Sequence, residues 1–419
     1  MSEDADSGDD GARPRRVDGT LDSHGFDPAS TLNDGDGRSH RRLSPANRIA
    51  KRAQFAPPSG GALPVVDSDE RLVFASDNYL GLTQDSEIQD AAVAAAEVVG
   101  TGSGASRTAT GDTLVHRDLE HRLAETTGTD RALVFPSGYA AVVGTITALE
   151  PDVVFSDAEN HTAVTDACCL ADAETVHYDH LDVADLADRL ASRADGDADE
   201  SWLLVTESVF GTDGTVAPLA ELCELAERYG AWLLVDETHA VGLYEDGGGI
   251  VQRDGLTERV NVQTGSLSTA LASQGGYVAG DDVLIELLID RREACTFSAG
   301  LAPPSAAAAV EALHVARTED RQERLWRNAE YLRDQLAAME YEVDGSTQIL
   351  AIPFDDPADA VGLCELLYDR GVVARAVAPS GRSDASSRLL VTPMATHSAS
   401  DLAACLDAFR DAGREIGLL

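Results

Sequence analysis

The sequence predicts an α/β fold in which a mostly parallel β-sheet is covered by helices on both faces. Short apolar runs alternate with longer amphipathic segments from about residue 131, as in consecutive strand–helix–strand units. From Pro303 the pattern changes to a long helical stretch, short strands and a final helix, which predicts a smaller α+β domain. The chain has 419 residues with 43% hydrophobic content, so it can bury a sizeable core.

Apolar runs of strand length give the predicted strands of the large sheet. They are 131–136, 153–157, 202–207, 231–237, 260–267 and 275–280. The segments between them have helical periodicity and end at glycine, as in 219–230. The helical stretch of the smaller domain runs from Pro303 to about Tyr341, and its final helix starts at Ser400. Its predicted strands are 348–354, 372–378 and 388–394.

The chain divides into four segments by composition and pattern. Residues 1–44 are rich in Asp, Gly, Ser and Arg and have almost no aromatic or β-branched residues. Because such a segment cannot bury enough apolar surface to offset the entropy lost on ordering, we predict a disordered acidic tail. An N-terminal segment (45–90), a large α/β domain (91–302) and the small α+β domain (303–419) follow.

The charge balance is strongly acidic, with 73 Asp and Glu against 32 Lys and Arg and a formal net charge of −41. Nucleic acids and anionic membranes are therefore poor partners, because phosphate groups bind to basic surfaces. Lys51 is the only lysine in the chain. A carboxylate-rich, lysine-poor surface is typical of a protein that stays soluble in concentrated salt, so we predict a halophilic protein.

Cysteine usage and hydropathy predict a cytoplasmic protein. The six cysteines are scattered, without a CxxC pair or the spacing of metal ligands, which is typical of free thiols in a reducing compartment and predicts no metal site. No signal peptide opens the chain, and no apolar run approaches the ~18 residues of a membrane span. We therefore expect no membrane partner.

Polar residues follow the predicted strands, at the edge where ligands bind in parallel sheets. Ser137 and Gly138 open a helix whose free backbone N–H groups can hold a phosphate, although an ordinary N-cap explains the same residues. His161 lies where an imidazole can stack on a flat ring. A helix cap or a surface position is the commoner role of a lone histidine at a helix start.

Carboxylates and a second histidine mark two further strand ends. Glu207, Ser208 and Asp213 follow one strand, and Asp236 ends the next, with His239 three residues on. A carboxylate at the end of so apolar a strand is costly to bury without a positive partner. A protonated pyridine nitrogen is such a partner, with His239 donating to a phenolic oxygen of the same ring. An Asp that caps a helix or turn is the alternative.

Nine short sequence motifs occur in a fixed order and spacing in the chain from residue 45 on. They are DNYLGL (77–82), GTGSGASRTATGDTLVHRDLE (100–120), PSGYAA (136–141), ENHTAVTD (159–166), TESVFGTDG (206–214), VDETHAVG (235–242), GSLSTALASQGGYVAG (265–280), FSAGLAPP (297–304) and SRLLVTPMATH (387–397). Each is weak alone, but the ordered set resembles the α-oxoamine synthase family. That family includes 8-amino-7-oxononanoate synthase, glycine C-acetyltransferase, 5-aminolevulinate synthase and serine palmitoyltransferase.

The resemblance implies a fold-type-I pyridoxal-phosphate transferase with a mostly parallel seven-stranded sheet and an active site at a homodimer interface. The implied reaction joins an acyl thioester, either acyl-CoA or acyl-carrier protein, to a small amino acid with release of CO2 and the free thiol. The most similar member is 8-amino-7-oxononanoate synthase of biotin synthesis.

Residue roles follow from the resemblance by matching motif. The residues expected around the cofactor are Ser137, Gly138, Tyr139, Ser266 and Ser268 at the phosphate, His161 stacked on the ring, Ser208 beside the ring, Asp236 at the pyridine nitrogen, His239 at the phenolic oxygen, and Ser298 reaching in from the partner subunit. Arg388 and Asn78 are expected to bind substrate, and the planar guanidinium of Arg388 suits an amino-acid carboxylate. Leu390 replaces the second arginine of an RLR-like element.

Thr269 occupies the position of the lysine that holds the cofactor in the family. The segment 266–271 reads Ser-Leu-Ser-Thr-Ala-Leu, where relatives have a Thr-Leu-Ser-Lys-Ala-Leu-like sequence. Threonine has no amine with which to bind the cofactor covalently or to move protons at the substrate α-carbon, so we predict non-covalent binding at best. Two functions follow from this: a synthase of reduced activity, or a non-catalytic subunit or regulator that pairs with a lysine-bearing paralogue.

Overall fold

The computed structural model of the chain describes residues 16–17, 20–21, 46–55, 69–194, 200–291, 298–377 and 387–419. Near the N-terminus it contains a short antiparallel pair, β1 (Arg16–Val17) and β2 (Thr20–Leu21). The rest of the segment 1–44, for which we predict disorder, lies outside the described residues, so disorder stays a prediction.

Short strands and longer helices alternate over the described part of the chain. The other strands are β3 (Arg52–Ala53), β4 (Arg71–Val73), β5 (Arg131–Phe135), β6 (Val153–Asp157), β7 (Glu174–Tyr178), β8 (Trp202–Glu207), β9 (Trp232–Asp236), β10 (Val262–Ser266), β11 (Gly276–Gly280), β12 (Leu350–Phe354), β13 (Val372–Val373), β14 (Arg375–Val377) and β15 (Ser387–Val391). The α-helices are α1 (Ser86–Val98), α2 (Leu114–Thr127), α3 (Gly138–Leu149), α4 (Thr162–Ala171), α5 (Val183–Ala194), α6 (Leu219–Tyr229), α7 (Ile250–Arg253), α8 (Asp282–Arg291), α9 (Pro303–Thr318), α10 (Arg321–Ala337), α11 (Pro357–Asp369) and α12 (Ala399–Ile416). Within the described ranges, none of these helices has the length and apolar character of a membrane span.

The large sheet has seven strands in the order β5-β11-β10-β9-β8-β6-β7. The neighbours β10, β9, β8, β6 and β7 are parallel, and β11 is antiparallel to both β10 and β5. All strands except β11 therefore point in one direction, and their carboxyl ends meet at one edge. The predicted mostly parallel, seven-stranded α/β sheet is confirmed.

Both faces of the large sheet are covered, as predicted. Ala132 and Val134 of β5 pack on one face in a cluster that includes Leu119 of α2. Leu133 and Phe135 pack on the other face in a cluster that includes helix α3. Alternate residues of one strand thus serve two cores, which is why these strands read as continuous apolar runs.

The sequence patterns miss one strand of the large sheet and one break between helices. Strand β7 (Glu174–Tyr178) lies at the sheet edge, and its side chains are only partly buried before Tyr178. Its sequence, ETVHY, lacks an apolar run because only one neighbour covers its backbone. The predicted helical stretch from Pro303 to Tyr341 is two helices, since α9 ends at Thr318 and α10 begins at Arg321.

A separate apolar core holds the smaller domain together. It lies between the antiparallel sheet β12-β15-β14 and helices α11 and α12, and it also contains Leu72 and Phe74 from the N-terminal segment. The neighbouring sheet β13-β4-β3 joins that segment to the domain. Helix α9, with Ala306 and Leu313, packs instead into the core of the large sheet. The boundary predicted at residue 303 therefore precedes a helix that packs with the large domain.

Candidate functional site

A cavity of about 300 Å³ opens at the carboxyl edge of the large sheet. It lies where the sequence predicts ligand binding, because four strand ends and the starts of two helices converge there. Its lining residues are Asp77, Ser137, Gly138, Tyr139, Val142, His161, Ala163, Glu207, Asp236, Thr238, His239, Ser266, Ser268 and Thr269. Most of the residues predicted for the site are among them.

One end of the cavity is built to hold an anion. Ser137 is the N-cap of α3, and its Oγ accepts a hydrogen bond from the N–H of Ala140 at 3.1 Å. The N–H groups of Gly138 and Tyr139, the first helical residues, have no partner within the helix. The positive end of the helix dipole and these N–H groups favour a bound anion. The N-cap role and the anion-binding role of this segment are thus compatible.

Two serines complete this end of the cavity. The Ser266 and Ser268 hydroxyl oxygens lie 2.7 Å apart, and the N–H of Ser268 donates to Ser266 Oγ at 3.1 Å. The strand ends pack directly on the helix start, because a Cβ added at Gly138 would lie 3.2 Å from Ser266 Cβ. A Cβ added at Gly276 would lie 2.5 Å from Gly138 Cα. Two glycines therefore let the hydroxyls reach the free N–H groups.

Two carboxyl groups lie at the opposite end of the cavity. Glu207 and Asp236 are paired residues at the ends of β8 and β9. The Glu207 carboxyl accepts hydrogen bonds from the N–H of His161 at 2.7 Å and of Gly211 at 3.2 Å. Burial, together with the negative charge of Asp236, raises the pKa of Glu207 to about 8. At neutral pH Glu207 is mainly a neutral acid beside the carboxyl group of Asp236.

The imidazole of His161 forms part of the cavity wall. Its Nδ1 accepts a hydrogen bond from the N–H of Ala163 at 3.2 Å, so His161 is the N-cap of α4. The side chain is exposed and lines the cavity. The helix cap, which the sequence offers as an alternative, is present, and stacking of His161 on a ring stays a prediction.

His239 is held as a neutral imidazole. Its Nδ1 lies 2.8 Å from the Tyr79 hydroxyl, and burial lowers the pKa of His239. Burial raises the pKa of Tyr79, so this hydroxyl keeps its proton. The Tyr79 hydroxyl has one proton and two acceptors within reach, since it also lies 3.2 Å from Asp77 Oδ1. When Tyr79 donates to Nδ1, His239 carries its proton on Nε2, which is the tautomer that can donate to a ligand. A Cβ added at Gly211 would lie 2.5 Å from Nε2, so a glycine is needed beside this ring.

Thr269 lies in the cavity wall, and no lysine does. Its side chain is buried, and Oγ1 donates to the carbonyl oxygen of Thr238 at 2.8 Å. Lys51, the only lysine of the chain, bonds through Nζ to the carbonyl oxygen of Thr396 at 2.9 Å and to Asp401 at 3.0 Å. The amine is thus held by residues that do not line the cavity.

Ser208 and Asn78, although predicted for the site, have structural contacts instead. The Ser208 hydroxyl is fully buried and donates to Glu237 at 2.7 Å. Because neighbouring residues of an extended chain point to opposite sides, Glu207 faces the cavity and Ser208 does not. The Asn78 side chain is buried and donates to Thr83 Oγ1 at 2.9 Å, which fixes a turn.

Ser298 and Arg388 do not line the cavity either. The Ser298 hydroxyl donates to the carbonyl oxygen of Ala299 at 3.3 Å; its approach to a partner subunit's site stays a prediction. Arg388 lies among acids, with Nη2 3.5 Å from Asp213 and Nη1 3.8 Å from Glu159. Arg388 thus lies near two carboxylates, while its Nε has no hydrogen-bond partner among the described residues. Its carboxylate-binding role stays a prediction.

Two further carboxyl groups line the cavity, those of Glu207 and Asp77, and the sequence patterns assign a role to neither. Glu207 was noted at a strand end, and its pairing with Asp236 across adjacent strands would have identified it. Asp77 lies in a loop without periodicity and is brought to the cavity from the N-terminal segment, which no local pattern indicates.

Comparison with known proteins agrees with the fold. Residues 69–409 match the family model of class I and II aminotransferases. The chain belongs to this family. It is 39% identical to an 8-amino-7-oxononanoate synthase of Symbiobacterium thermophilum, over 85% of this chain and 91% of the relative. This likeness supports the predicted membership of the α-oxoamine synthases, and the fold-type-I assignment is confirmed.

Solved structures of serine palmitoyltransferases have the same fold. The Sphingomonas wittichii enzyme superposes with a TM-score of 0.81 and 29% identity, covering 88% of this chain and 91% of its own. A lysine-to-alanine variant of the S. paucimobilis enzyme, with a bound aldimine of pyridoxal phosphate and myriocin, superposes with a TM-score of 0.83 and 28% identity. That match covers 93% of this chain and 96% of the variant.

Proposed function

We propose that this class I and II aminotransferase family member binds pyridoxal phosphate in the cavity without a covalent bond, as an acyltransferase of the 8-amino-7-oxononanoate synthase type. The proposed reaction condenses an acyl thioester with a small amino acid and releases CO2. The observation that carries the proposal is the pairing of an anion-binding helix start with a carboxylate, Asp236, in one cavity of the described structure.

The residues of the cavity fit the phosphate and the ring of this cofactor. The N-terminus of α3 with Ser266 and Ser268 offers N–H and hydroxyl donors for a phosphate. Asp236 can accept from a protonated pyridine nitrogen. A cation there would also offset the negative charge of Asp236, which contributes to raising the pKa of Glu207. The donor set therefore matches both charged ends of the group.

The residues do not fit a covalent attachment. Bound pyridoxal phosphate supplies an electron sink for chemistry at a substrate α-carbon. Thr269, which lines the cavity, has a hydroxyl that is committed to the carbonyl oxygen of Thr238, and it can neither form the link of a lysine amine nor carry its proton. General acid–base catalysis is worth roughly 10²- to 10⁴-fold, so we expect turnover to be reduced by about that factor.

The remaining side chains orient a bound ring and its substrate. His161 would cover one face of a bound ring, and its backbone N–H holds Glu207 in place. Neutral His239, when protonated on Nε2, would donate to the ring oxygen, and its Nδ1 contacts the Tyr79 hydroxyl. The apolar residues Val142 and Ala163 also line the cavity.

A second candidate function is a subunit that completes a mixed dimer with a lysine-bearing paralogue. The observation that favours it is the combination of an intact ring-binding frame with Thr269 where a lysine is expected. Such a chain would keep the fold and the dimer surface while its partner performs the chemistry. Co-expression with a lysine-bearing paralogue, followed by mass measurement of the complex, tests this function directly.

Titration with pyridoxal phosphate tests the primary proposal. We expect saturable binding to the unmodified chain, seen by equilibrium dialysis, without the absorbance band of a lysine-linked cofactor. The variant Thr269→Lys should gain that band and raise the rate of thiol release from acyl-CoA and alanine by about 10²- to 10⁴-fold. Thr318→Lys, which adds a lysine to an exposed site on α9, is the matched control and should gain neither.

Two results would contradict the proposal. Absence of saturable binding to both the unmodified chain and Thr269→Lys would show that the cavity does not hold the cofactor. A lysine-type absorbance band in the unmodified chain would show that an amine reaches the cavity after all. Full activity only in the presence of a paralogue would replace the primary proposal by the subunit function.

A further inference from the structure

Two arginines project from one face of the small antiparallel sheet. Arg375 in β14 is directly opposite Leu390 in β15, and Arg388 is two residues before Leu390 on the same strand. Opposed residues of antiparallel strands, and residues two apart on one strand, share a face. This face packs toward the large domain, because Leu390 belongs to the core of the large sheet. Both guanidinium groups therefore start from the side that faces the cavity.

The two arginines differ in their partners. Arg388 is largely buried, and its guanidinium lies within 4 Å of Glu159 and Asp213. Asp213 is also 3.2 Å from the imidazole of His180. Arg375 is exposed, and among the described residues no carboxylate oxygen lies within 4 Å of its guanidinium. Of these two arginines, Arg375 is therefore the one whose guanidinium has no carboxylate within ion-pair distance in the described ranges.

Arg375 borders the candidate cofactor cavity. With Leu390, Thr392 and Gly211 it lines a narrow cleft that also contains Asp77, and Asp77 lines the main cavity as well. Its charge contributes to lowering the pKa of His239, although burial is the larger cause. The guanidinium thus lies close enough to act on groups that line the cavity.

The charge of the cavity creates a need for such a cation. Asp77 and Asp236 line the cavity together with Glu207, which is mainly neutral because its pKa is raised to about 8, and His239 is neutral because burial lowers its pKa. A ligand carboxylate that enters beside Asp77 is repelled unless a positive group meets it. An arginine is suited to this contact, since its planar fork donates two parallel hydrogen bonds to a carboxylate.

We infer that Arg375, and not Arg388, binds the carboxylate of the amino-acid substrate. The inference rests on the proposed function, because it presupposes an amino acid joined to or placed beside the cofactor in the main cavity. Leu390, which lies opposite Arg375, is apolar and does not pair with its guanidinium. Arg375 of β14 therefore places a positive charge on the sheet face where β15 has a leucine.

Two stable cofactor conjugates test the inference without requiring turnover. N-(5′-phosphopyridoxyl)-L-alanine carries the amino-acid carboxylate, and N-(5′-phosphopyridoxyl)ethylamine lacks it. Affinities for both are measured by isothermal titration calorimetry with the unmodified chain and with Arg375→Ala. We expect the unmodified chain to prefer the carboxylate-bearing conjugate by about 10- to 100-fold, the range of a charge-assisted hydrogen bond. Arg375→Ala should bind the two conjugates equally.

A matched control removes an arginine elsewhere. Arg410 lies on α12 and pairs with Asp407 on the surface, so Arg410→Ala should keep the full preference. A preference that persists in Arg375→Ala overturns the inference. If pyridoxal phosphate and both conjugates fail to bind the unmodified chain, the proposed function fails and the inference falls with it. Binding of both conjugates with equal affinity to the unmodified chain overturns the inference alone.

Discussion

Glu207 and Asp236 are paired residues at the ends of adjacent parallel strands, so two carboxyl groups share the edge of the sheet where the cavity opens. Burial and the neighbouring charge raise the pKa of Glu207 from 4.5 to about 8. Two acids at such a site cannot both be ionised without cost. The pair therefore makes the stability of the protein depend on pH and on the binding of a cation.

The first prediction concerns this pair. Because Glu207 keeps its proton in the folded state and loses it in the unfolded state, stability should fall as pH rises from 4.5 to 8. The slope expected from one group is up to about 1.4 kcal/mol per pH unit. Glu207→Gln should flatten this part of the profile, measured by urea unfolding at several pH values. An unchanged slope in the variant would show that Glu207 ionises normally.

The second prediction concerns His180, which lies between two buried carboxylates. Its ring nitrogens are 2.8 Å from Asp157 and 3.2 Å from Asp213. Burial opposes protonation, but the two acids outweigh it and raise the pKa of His180 from 6.5 to about 9. The charged imidazole thus stabilises the fold fully below pH 6.5, and this contribution is lost as pH rises through 9.

His180→Gln should remove the loss of stability that deprotonation of His180 causes as pH rises through 9. We expect the variant's unfolding free energy to change less than that of the unmodified protein between pH 8 and 9, where the remaining titration of Glu207 contributes equally to both proteins. Proton release followed by NMR of the His180 ring provides an independent measurement. Titration of the ring near its ordinary value would contradict the assignment.

Much of the site could be predicted because the carboxyl ends of parallel strands meet at one edge. Ser137, His161, Asp236 and Ser266 each follow or end an apolar run, so the run itself locates them. What the sequence cannot supply is the direction of a side chain at the strand end. Neighbouring residues of a strand point to opposite faces of the sheet, so an error of one residue places a side chain on the wrong face. The sequence predicts Ser208 for the cavity, and the adjacent Glu207 lines it instead.

Contacts between distant segments are the other part that a single sequence does not show. Asp77 comes to the cavity from a loop of the N-terminal segment. Arg375 of β14 lines a neighbouring cleft together with Asp77. Arg388 was predicted to bind a carboxylate from its position in a motif, but acids from two other segments pair with it. Edge strand β7 was missed for a related reason: a strand with one neighbour needs no apolar run.

The third prediction concerns Lys51. Since its amine is held by Thr396 and Asp401, it should not react with pyridoxal phosphate bound in the cavity. Lys51→Arg keeps both contacts and should leave the affinity for the cofactor unchanged in equilibrium dialysis. Borohydride reduction followed by peptide mass mapping should leave Lys51 unlabelled at stoichiometric cofactor. Saturable labelling of Lys51 would contradict this prediction.

The fourth prediction concerns salt. With a formal net charge of −41, self-repulsion should destabilise the fold where screening is weak. The Debye length falls from about 30 Å at 0.01 M to about 3 Å at 1 M, so the thermal midpoint should rise with KCl over this range. Sucrose at matched osmolality serves as the control for solvent exclusion. A midpoint that does not respond to KCl would exclude a halophilic adaptation.

The fifth prediction concerns the glycines that bring the strand ends to the helix start. A Cβ added at Gly276 would lie 2.5 Å from Gly138 Cα, and backbone atoms cannot move aside as a flexible side chain can. Gly276→Ala should therefore lower stability by about 1–3 kcal/mol and weaken cofactor binding, because it displaces the N–H groups of Gly138 and Tyr139.

Gly362 provides the matched control for Gly276. It lies within α11, and a Cβ added there would have no atom within 4 Å. Gly362→Ala should stabilise the protein by about 0.5–1 kcal/mol, since alanine loses less backbone entropy in a helix, and should leave the affinity for pyridoxal phosphate unchanged. Both variants are compared by chemical unfolding and equilibrium dialysis. Equal stability and equal affinity of the two variants would mean that the close approach of β11 to α3 does not shape the anion-binding end.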